Sequence, residues 1–286
     1  MLSIVATHGR DRHFEIGATM GLLWEEALRQ SLELIYASYA HTIPYHFAFY
    51  GNLWRRDIPE DLVAQITQLG FAEDLLQELG LPIPPQKEEE GGWDILADTI
   101  AVLDRHLHIG PTILKRFLAD LSEYFRDRNL RLKTMQRLET KIRDAGSEVL
   151  LLAHSMGTIV SYDLLMRKPE LPVYAIITFG SPLGLPSIHN NVALADGSTP
   201  FPAYPSHWIN IYNRQDFVAA VHKLAPLFPA NGVSRIKDWE MIGRDPTLLN
   251  PLSGHDPIIY LSSSTMGVAV HAIVEQWMAT QTTSEG

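Results

Sequence analysis

The segment Val149 to Tyr162 reads VLLLAHSMGTIVSY. A continuous β-rich apolar run is followed by a helical pattern, so Ser155 falls on the turn between a buried strand and a helix. Such a turn lifts the serine Oγ above the sheet and aims it at the first N–H groups of the helix, which have no intrahelical acceptor. A hydroxyl held there is exposed for attack and lies beside donors for a developing negative charge. Ala153 and Gly157 stand two positions on either side of Ser155, as suits a turn in which larger side chains would clash. Serine is also an ordinary helix N-cap; the buried strand in front of it favours the nucleophile. The chain has no cysteine, so covalent catalysis has to use oxygen or nitrogen.

Other chemistries lack their signatures. No H-E-x-x-H, Walker A or G-x-G-x-x-G pattern occurs. His106 and His108 are two residues apart, so on a helix they point about 200° from one another and cannot share an ion. No metal ligand set and no cofactor site is expected.

AHSMGT resembles the nucleophile elbow of the α/β-hydrolase superfamily, usually G-x-S-x-G, with Ala153 in the first glycine place. The wording is similar to that of many lipase- and esterase-like members. The resemblance implies an α/β-hydrolase fold: a mostly parallel central sheet flanked by helices, with a helical cap insertion. It also implies an oxyanion hole made by the N–H of Met156 and a second N–H from the loop after an early strand. Ile4 to Thr7 followed by His8-Gly9-Arg10 looks like that loop, so Gly9 or Arg10 is the second donor and His8 is structural. The resemblance further implies an acid and then a histidine after the serine. Asp216, just past the strand Trp208 to Tyr212, fits the acid, with Asp238 and Asp245 in reserve. His255, in the loop NPLSGHDPIIY before the last helix, fits the base, with Tyr260 as a packing aromatic. FGSPLG is similar to a stretch of the lipase-like branch, which places Ser181 and Leu183 near the site, with Ser181 a turn residue. His154 adjoins the serine. A serine hydroxyl is barely ionised at neutral pH, so it needs the base, and the base needs an anion to fix its tautomer.

The expected activity is therefore cleavage of carboxylic esters, of hydrophobic or lipid-like acyl type, through an acyl-enzyme. Acyl transfer, thioester cleavage and amide or peptide cleavage would use the same three residues. A binding module that kept the fold without catalysis is the alternative of another class.

These residues need a scaffold. Leu2 to Thr7, Tyr45 to Tyr50, Glu148 to Ala153, Val173 to Phe179 and Trp208 to Tyr212 read as strands, and Ser234 to Ile242 as a last one. Gly17 to Ser38, Leu130 to Ala145, Met156 to Lys168 and Met266 to Thr280 read as helices. Residues 55–129 carry four more helical patterns, Leu62 to Leu69, Ala72 to Leu79, Ile95 to Leu107 and Thr112 to Phe125. They read as a helical cap inserted in a single domain spanning 1–286. Within it LPIPPQKEEEGG, residues 81 to 92, predicts a solvated loop.

The chain has 286 residues, 46% hydrophobic and 20% charged, which excludes wholesale disorder. Its net charge of −10, with no basic run, argues against nucleic-acid binding. No apolar stretch approaches ~18 residues, so no stable membrane insertion is expected. The N-terminus lacks the pattern of a signal peptide, and a cytoplasmic location is the default. The expected partner is a small-molecule or lipid-like ester substrate.

Overall fold

In the computed structural model the described residues are 2–9, 17–54, 71–84, 92–107, 111–146, 148–192, 201–202, 205–230, 233–242 and 254–284. The chain builds β1 (Ser3–Thr7), α1 (Gly17–Leu34), β2 (Tyr45–Ala48), α2 (Phe71–Glu78), α3 (Gly92–Leu107), α4 (Pro111–Arg126) and α5 (Arg128–Asp144). It continues through β3 (Val149–His154), α6 (Met156–Arg167), β4 (Val173–Phe179), α7 (Pro186–Val192) and β5 (His207–Tyr212). After a two-residue hairpin, Pro229–Ala230 with Val233–Ser234, come β6 (Ile236–Glu240), α8 (Pro257–Leu261) and α9 (Ser264–Ser284).

The six strands form an all-parallel sheet in the order β2-β1-β3-β4-β5-β6. Parallel strands covered on both faces read as unbroken apolar runs, and β1, β3 and β4 are buried at every position. Successive side chains alternate between two cores. Val5, Leu151 and Ile176 pack with α2 to α7, whereas Ile4, Leu150, Leu152 and Ile177 pack with α1, α8 and α9. Leu75, Leu103 and Leu118, from α2, α3 and α4, are fully buried in the same core as Ile159 of α6. These three helices therefore share the core of the sheet's own layer. Asp127 caps the N-terminus of α5 by accepting from the Asn129 and Leu130 N–H groups, worth about 1 kcal/mol.

The strand order turns back at β1. The chain goes outward from β1 to β2, then crosses to the other side of β1 for β3. At such a switch the loops leaving two neighbouring strands part and open a crevice at their carboxyl ends. Thr7 pairs with Ala153, so His8 and Gly9 leave the sheet beside His154 and Ser155.

Several expected elements differ in extent; the first helix ends at Leu34 rather than Ser38. The second strand stops at Ala48, because Phe49 and Tyr50 turn away and Tyr50 pairs with His8. The last strand is Ile236–Glu240; Val233–Ser234 pairs with Pro229–Ala230 instead. The final helix runs from Ser264 to Ser284. The expected helix Leu62 to Leu69, most of the loop 81 to 92, Arg10 and Asp245 lie outside the described residues. Among the described residues no helix is long and apolar enough to cross a membrane.

Candidate active site

Ser155 joins β3 to α6 with φ 53° and ψ −127°, a conformation that costs a non-glycine residue about 1–3 kcal/mol. Its neighbours hold it there. The Ser155 N–H donates to the Phe179 carbonyl at 3.2 Å, and its own carbonyl accepts the Thr158 N–H at 2.9 Å and the Thr158 hydroxyl at 2.7 Å. Ala153 is fully buried, so a methyl fits the first small position of the turn. Gly157 has no such room: a Cβ there would lie 2.7 Å from the His8 carbonyl oxygen and 2.9 Å from that of Thr7.

The structure brings Ser155, His255 and Asp216 together. His255 Nε2 lies 2.9 Å from Ser155 Oγ, and His255 Nδ1 lies 2.9 Å from Asp216 Oδ2. Asp216 follows β5, and its side chain is fully buried. Its Oδ1 accepts the Val218 N–H at 2.9 Å and the Ala219 N–H at 3.3 Å. His255 sits between buried Gly254 and Asp256, which caps α8 by accepting the Ile258 N–H at 2.9 Å. With the Nδ1 proton directed at the carboxylate, Nε2 presents a lone pair to the serine hydroxyl. The arrangement can remove a proton from Ser155 and hold it as an imidazolium paired with Asp216.

Gly9 lies against the serine. A Cβ on Gly9 would stand 2.4 Å from Ser155 Cβ and 2.8 Å from its Oγ, so only a glycine allows the backbone this close. Met156 opens α6, where the first N–H groups lack intrahelical acceptors. Arg10, the other expected donor, lies outside the described residues.

His8 shapes this loop. Its Nδ1 donates to the Gly9 carbonyl, its Nε2 accepts the Tyr50 N–H at 3.2 Å, and its carbonyl accepts the Tyr50 hydroxyl. Burial pushes its pKa down to about 4, so the ring is neutral at pH 7 and its tautomer is fixed by these partners. His154 is also buried, and burial, then the nearby His255, hold it well below the usual imidazole range. Its Nε2 donates to the His255 carbonyl at 3.1 Å, with the two rings 4.6 Å apart. Ser181 donates to Thr158 Oγ1 at 2.9 Å and accepts the Leu183 N–H at 3.3 Å, a turn role. Leu183 is fully buried in the core that also holds Met156 and Phe217.

The reserve acid Asp238 serves the sheet. It accepts from Asn210 Nδ2 and from the Leu224 and Ala225 N–H groups, all within 3.0 Å. Two side chains beside the site, Phe217 and Phe117, were not singled out in the sequence, and a third, the expected packing aromatic Tyr260, makes a bond that was not expected. Phe217 lies 6.0 Å from the His255 ring, and Phe117 of α4 lies 6.2 Å from Phe217. Tyr260 is bonded to Asp216 as well as packed near it. The signal for Phe217 was its place right after Asp216.

A groove of about 1050 Å³ lies at the free edge of β2, between α1 and α5, lined by Tyr45, Phe47, Leu22, Lys133 and Arg137 among others. It contains none of Ser155, Asp216 or His255, so hydrogen-bond geometry marks the candidate site better than volume does. Among the described residues no group of three or more His, Asp or Glu side chains is placed to hold a metal ion. No protein-family model matches the chain, and no curated protein matches it.

Proposed function

We propose that this protein is a serine hydrolase of the α/β-hydrolase type that cleaves carboxylic esters through an acyl-enzyme. The observation that carries the reading is the relay from Ser155 Oγ through His255 to Asp216, with both contacts at 2.9 Å. It starts from a serine held at positive φ on a strand-to-helix turn. Each group has one task. Ser155 Oγ attacks the ester carbonyl as its proton passes to His255 Nε2. Met156 N–H and the Gly9 backbone face the carbonyl oxygen as it becomes an alkoxide. His255 then protonates the leaving alcohol. Water, deprotonated by the same nitrogen, attacks the acyl-enzyme, and the acid is released with Ser155 restored. Asp216 holds the imidazole in the required tautomer throughout.

An apolar acyl group is favoured because Phe217 and Phe117 form an aromatic wall from His255 to α4. In this reading residues 55–129 are the cap, and α4 is its contribution to the acyl side of the site. The test is covalent labelling. A fluorophosphonate is expected to modify the protein at one serine, mapped to Ser155 by peptide mass, and to abolish turnover of a hydrophobic p-nitrophenyl ester in parallel. Labelling confined to another serine overturns the reading.

Gly9→Ala tests the oxyanion side. Its methyl would fall within van der Waals contact of Ser155 Cβ and Oγ. Ester turnover per folded molecule is expected to fall about 10²-fold or more, the scale of a lost oxyanion donor. Turnover within a few-fold of wild type would remove Gly9 from the site.

A further inference from the structure

Tyr260 lies five residues after His255, fully buried, with its hydroxyl between two groups of the acid loop. It donates to Asp216 Oδ2 at 2.8 Å, the same oxygen that pairs with His255 Nδ1. It accepts the Asn213 N–H at 3.0 Å. Asn213 in turn donates through Nδ2 to the Gly254 carbonyl at 3.2 Å and accepts the Gln215 N–H at 3.1 Å. The loops touch directly as well, since a Cβ on Gly254 would lie 2.4 Å from the Gln215 carbonyl oxygen. The turn 213–216 that carries the acid and the segment 254–260 that carries the base are thus one hydrogen-bonded unit, closed by the Tyr260 hydroxyl.

We infer that Tyr260 is a positioning residue that sets the strength and direction of the Asp216–His255 hydrogen bond by sharing Asp216 Oδ2 with the imidazole. The catalytic part of this inference rests on the hydrolase reading above. A packing aromatic would need no hydroxyl at all; here the hydroxyl has both a donor and an acceptor in the acid loop. With the Val218 and Ala219 N–H groups on Oδ1, the carboxylate accepts four hydrogen bonds, and Tyr260 donates the one that competes with His255. Burial, and then the Asp216 charge, push the Tyr260 phenol well above its ordinary range, so it is a donor at neutral pH. Removing the hydroxyl concentrates acceptor strength on the His255 proton and frees the carboxylate to rotate. The first effect strengthens the Asp–His bond; the second misplaces the imidazole against Ser155.

Two readouts decide the matter, and the first needs no activity. The ring N–H proton of His255 is identified as the low-field ¹H resonance that His255→Gln removes. Tyr260→Phe is expected to move it further downfield. 3-Fluorotyrosine placed at position 260 keeps the hydroxyl and the fold, donates more strongly, and is expected to move it upfield. A resonance unmoved by both changes overturns the inference, whether or not the protein is a hydrolase. The second readout is the rate of fluorophosphonate labelling together with ester kinetics. Tyr260→Phe is expected to lower kcat about tenfold with KM unchanged within twofold, as a misaligned base requires. In an Asp216→Ala background the same change is expected to cost less than twofold. An equal loss in both backgrounds shows that Tyr260 only holds the loops, and overturns the inference. Wild-type protein that neither labels nor turns over esters defeats the hydrolase reading alone, leaving the resonance test to decide the role of Tyr260.

Discussion

On the proposed hydrolase reading, His255→Ala is expected to lower ester turnover at pH 7 by roughly 10⁴-fold or more, and Ser155→Ala at least as far. The size follows from what each replacement leaves behind. Without His255 the Ser155 hydroxyl keeps its proton, and general-base assistance alone is worth about 10²–10⁴-fold. The leaving alcohol would also depart unprotonated, and the water that attacks the acyl-enzyme would lose the same base, so both halves of the cycle would slow. His154 cannot replace the lost imidazole although its ring lies only 4.6 Å away. Its Nε2 is bound to the 255 carbonyl, and its ring is buried between Trp24 and Phe179. Because the residues act as a unit, the double variant is expected to be no slower than the worse single one. The KM of a hydrophobic ester should change little, since neither side chain binds the acyl chain. Pre-steady-state and steady-state ester kinetics, with melting curves to establish folding, check each statement. Turnover in His255→Ala above about a tenth of wild type would exclude His255 as the base.

The parts of this site that were legible in the sequence are those that depend on short range. Val149 to Ala153 announces itself as a doubly buried strand because every position is apolar, and a helical pattern begins at Met156, just past the turn. Parallel pairing of β1 with β3 then carries His8 and Gly9 to Ser155, a proximity that the sequence offered only through the resemblance. Asp216 and His255 were legible only through a resemblance, since an Asp after a strand and a His in a Pro/Gly loop have many ordinary uses. Asp238 shows the difficulty: it also sits at a loop-rich strand, yet its carboxylate ties Asn210 to the 224–225 turn. The hydroxyl role of Tyr260 was not legible, because its partners Asn213 and Asp216 are 47 and 44 residues away and no local pattern addresses one to the other. The ring of Phe117 meets Phe217 for the same reason, through packing of a helix whose sequence shows only that one face is apolar.

Asp163→Ala is expected to lower the unfolding free energy at pH 7 by about 3–5 kcal/mol, the cost of breaking a buried charged network by removing one partner. Asp163 lies on α6, the helix that starts at the elbow, and its side chain is only 6% exposed. It accepts from Arg131 of α5, from Arg167 one turn later at 2.9 Å, and from the Tyr124 hydroxyl of α4 at 3.0 Å. Three helices therefore meet on one carboxylate. The Arg131 guanidinium also lies 5.5 Å from the ring centres of Tyr124 and Phe125, so the variant leaves a half-buried cation against aromatic faces with its anion gone. Burial alone would raise the Asp163 pKa, but hydrogen bonds and charge from Arg131 and then Arg167 outweigh it and hold the pKa below the usual carboxylate value. A folded-state pKa below the unfolded one means the stabilisation is complete above the unfolded value of about 3.9 and is lost as pH falls through the folded one. The gap between wild type and variant should thus be widest near neutrality and close in acid. Urea unfolding at pH 7 and again at about pH 3 measures it, and a gap under about 1 kcal/mol at pH 7 would show that the network adds nothing beyond a surface pair. Turnover per folded molecule should stay within about twofold, because the elbow is fixed by its own bonds to Phe179 and Thr158 at the other end of the helix. That separation of stability from turnover distinguishes a carboxylate that anchors α6 from one, like Asp216, that faces His255 in the proposed site.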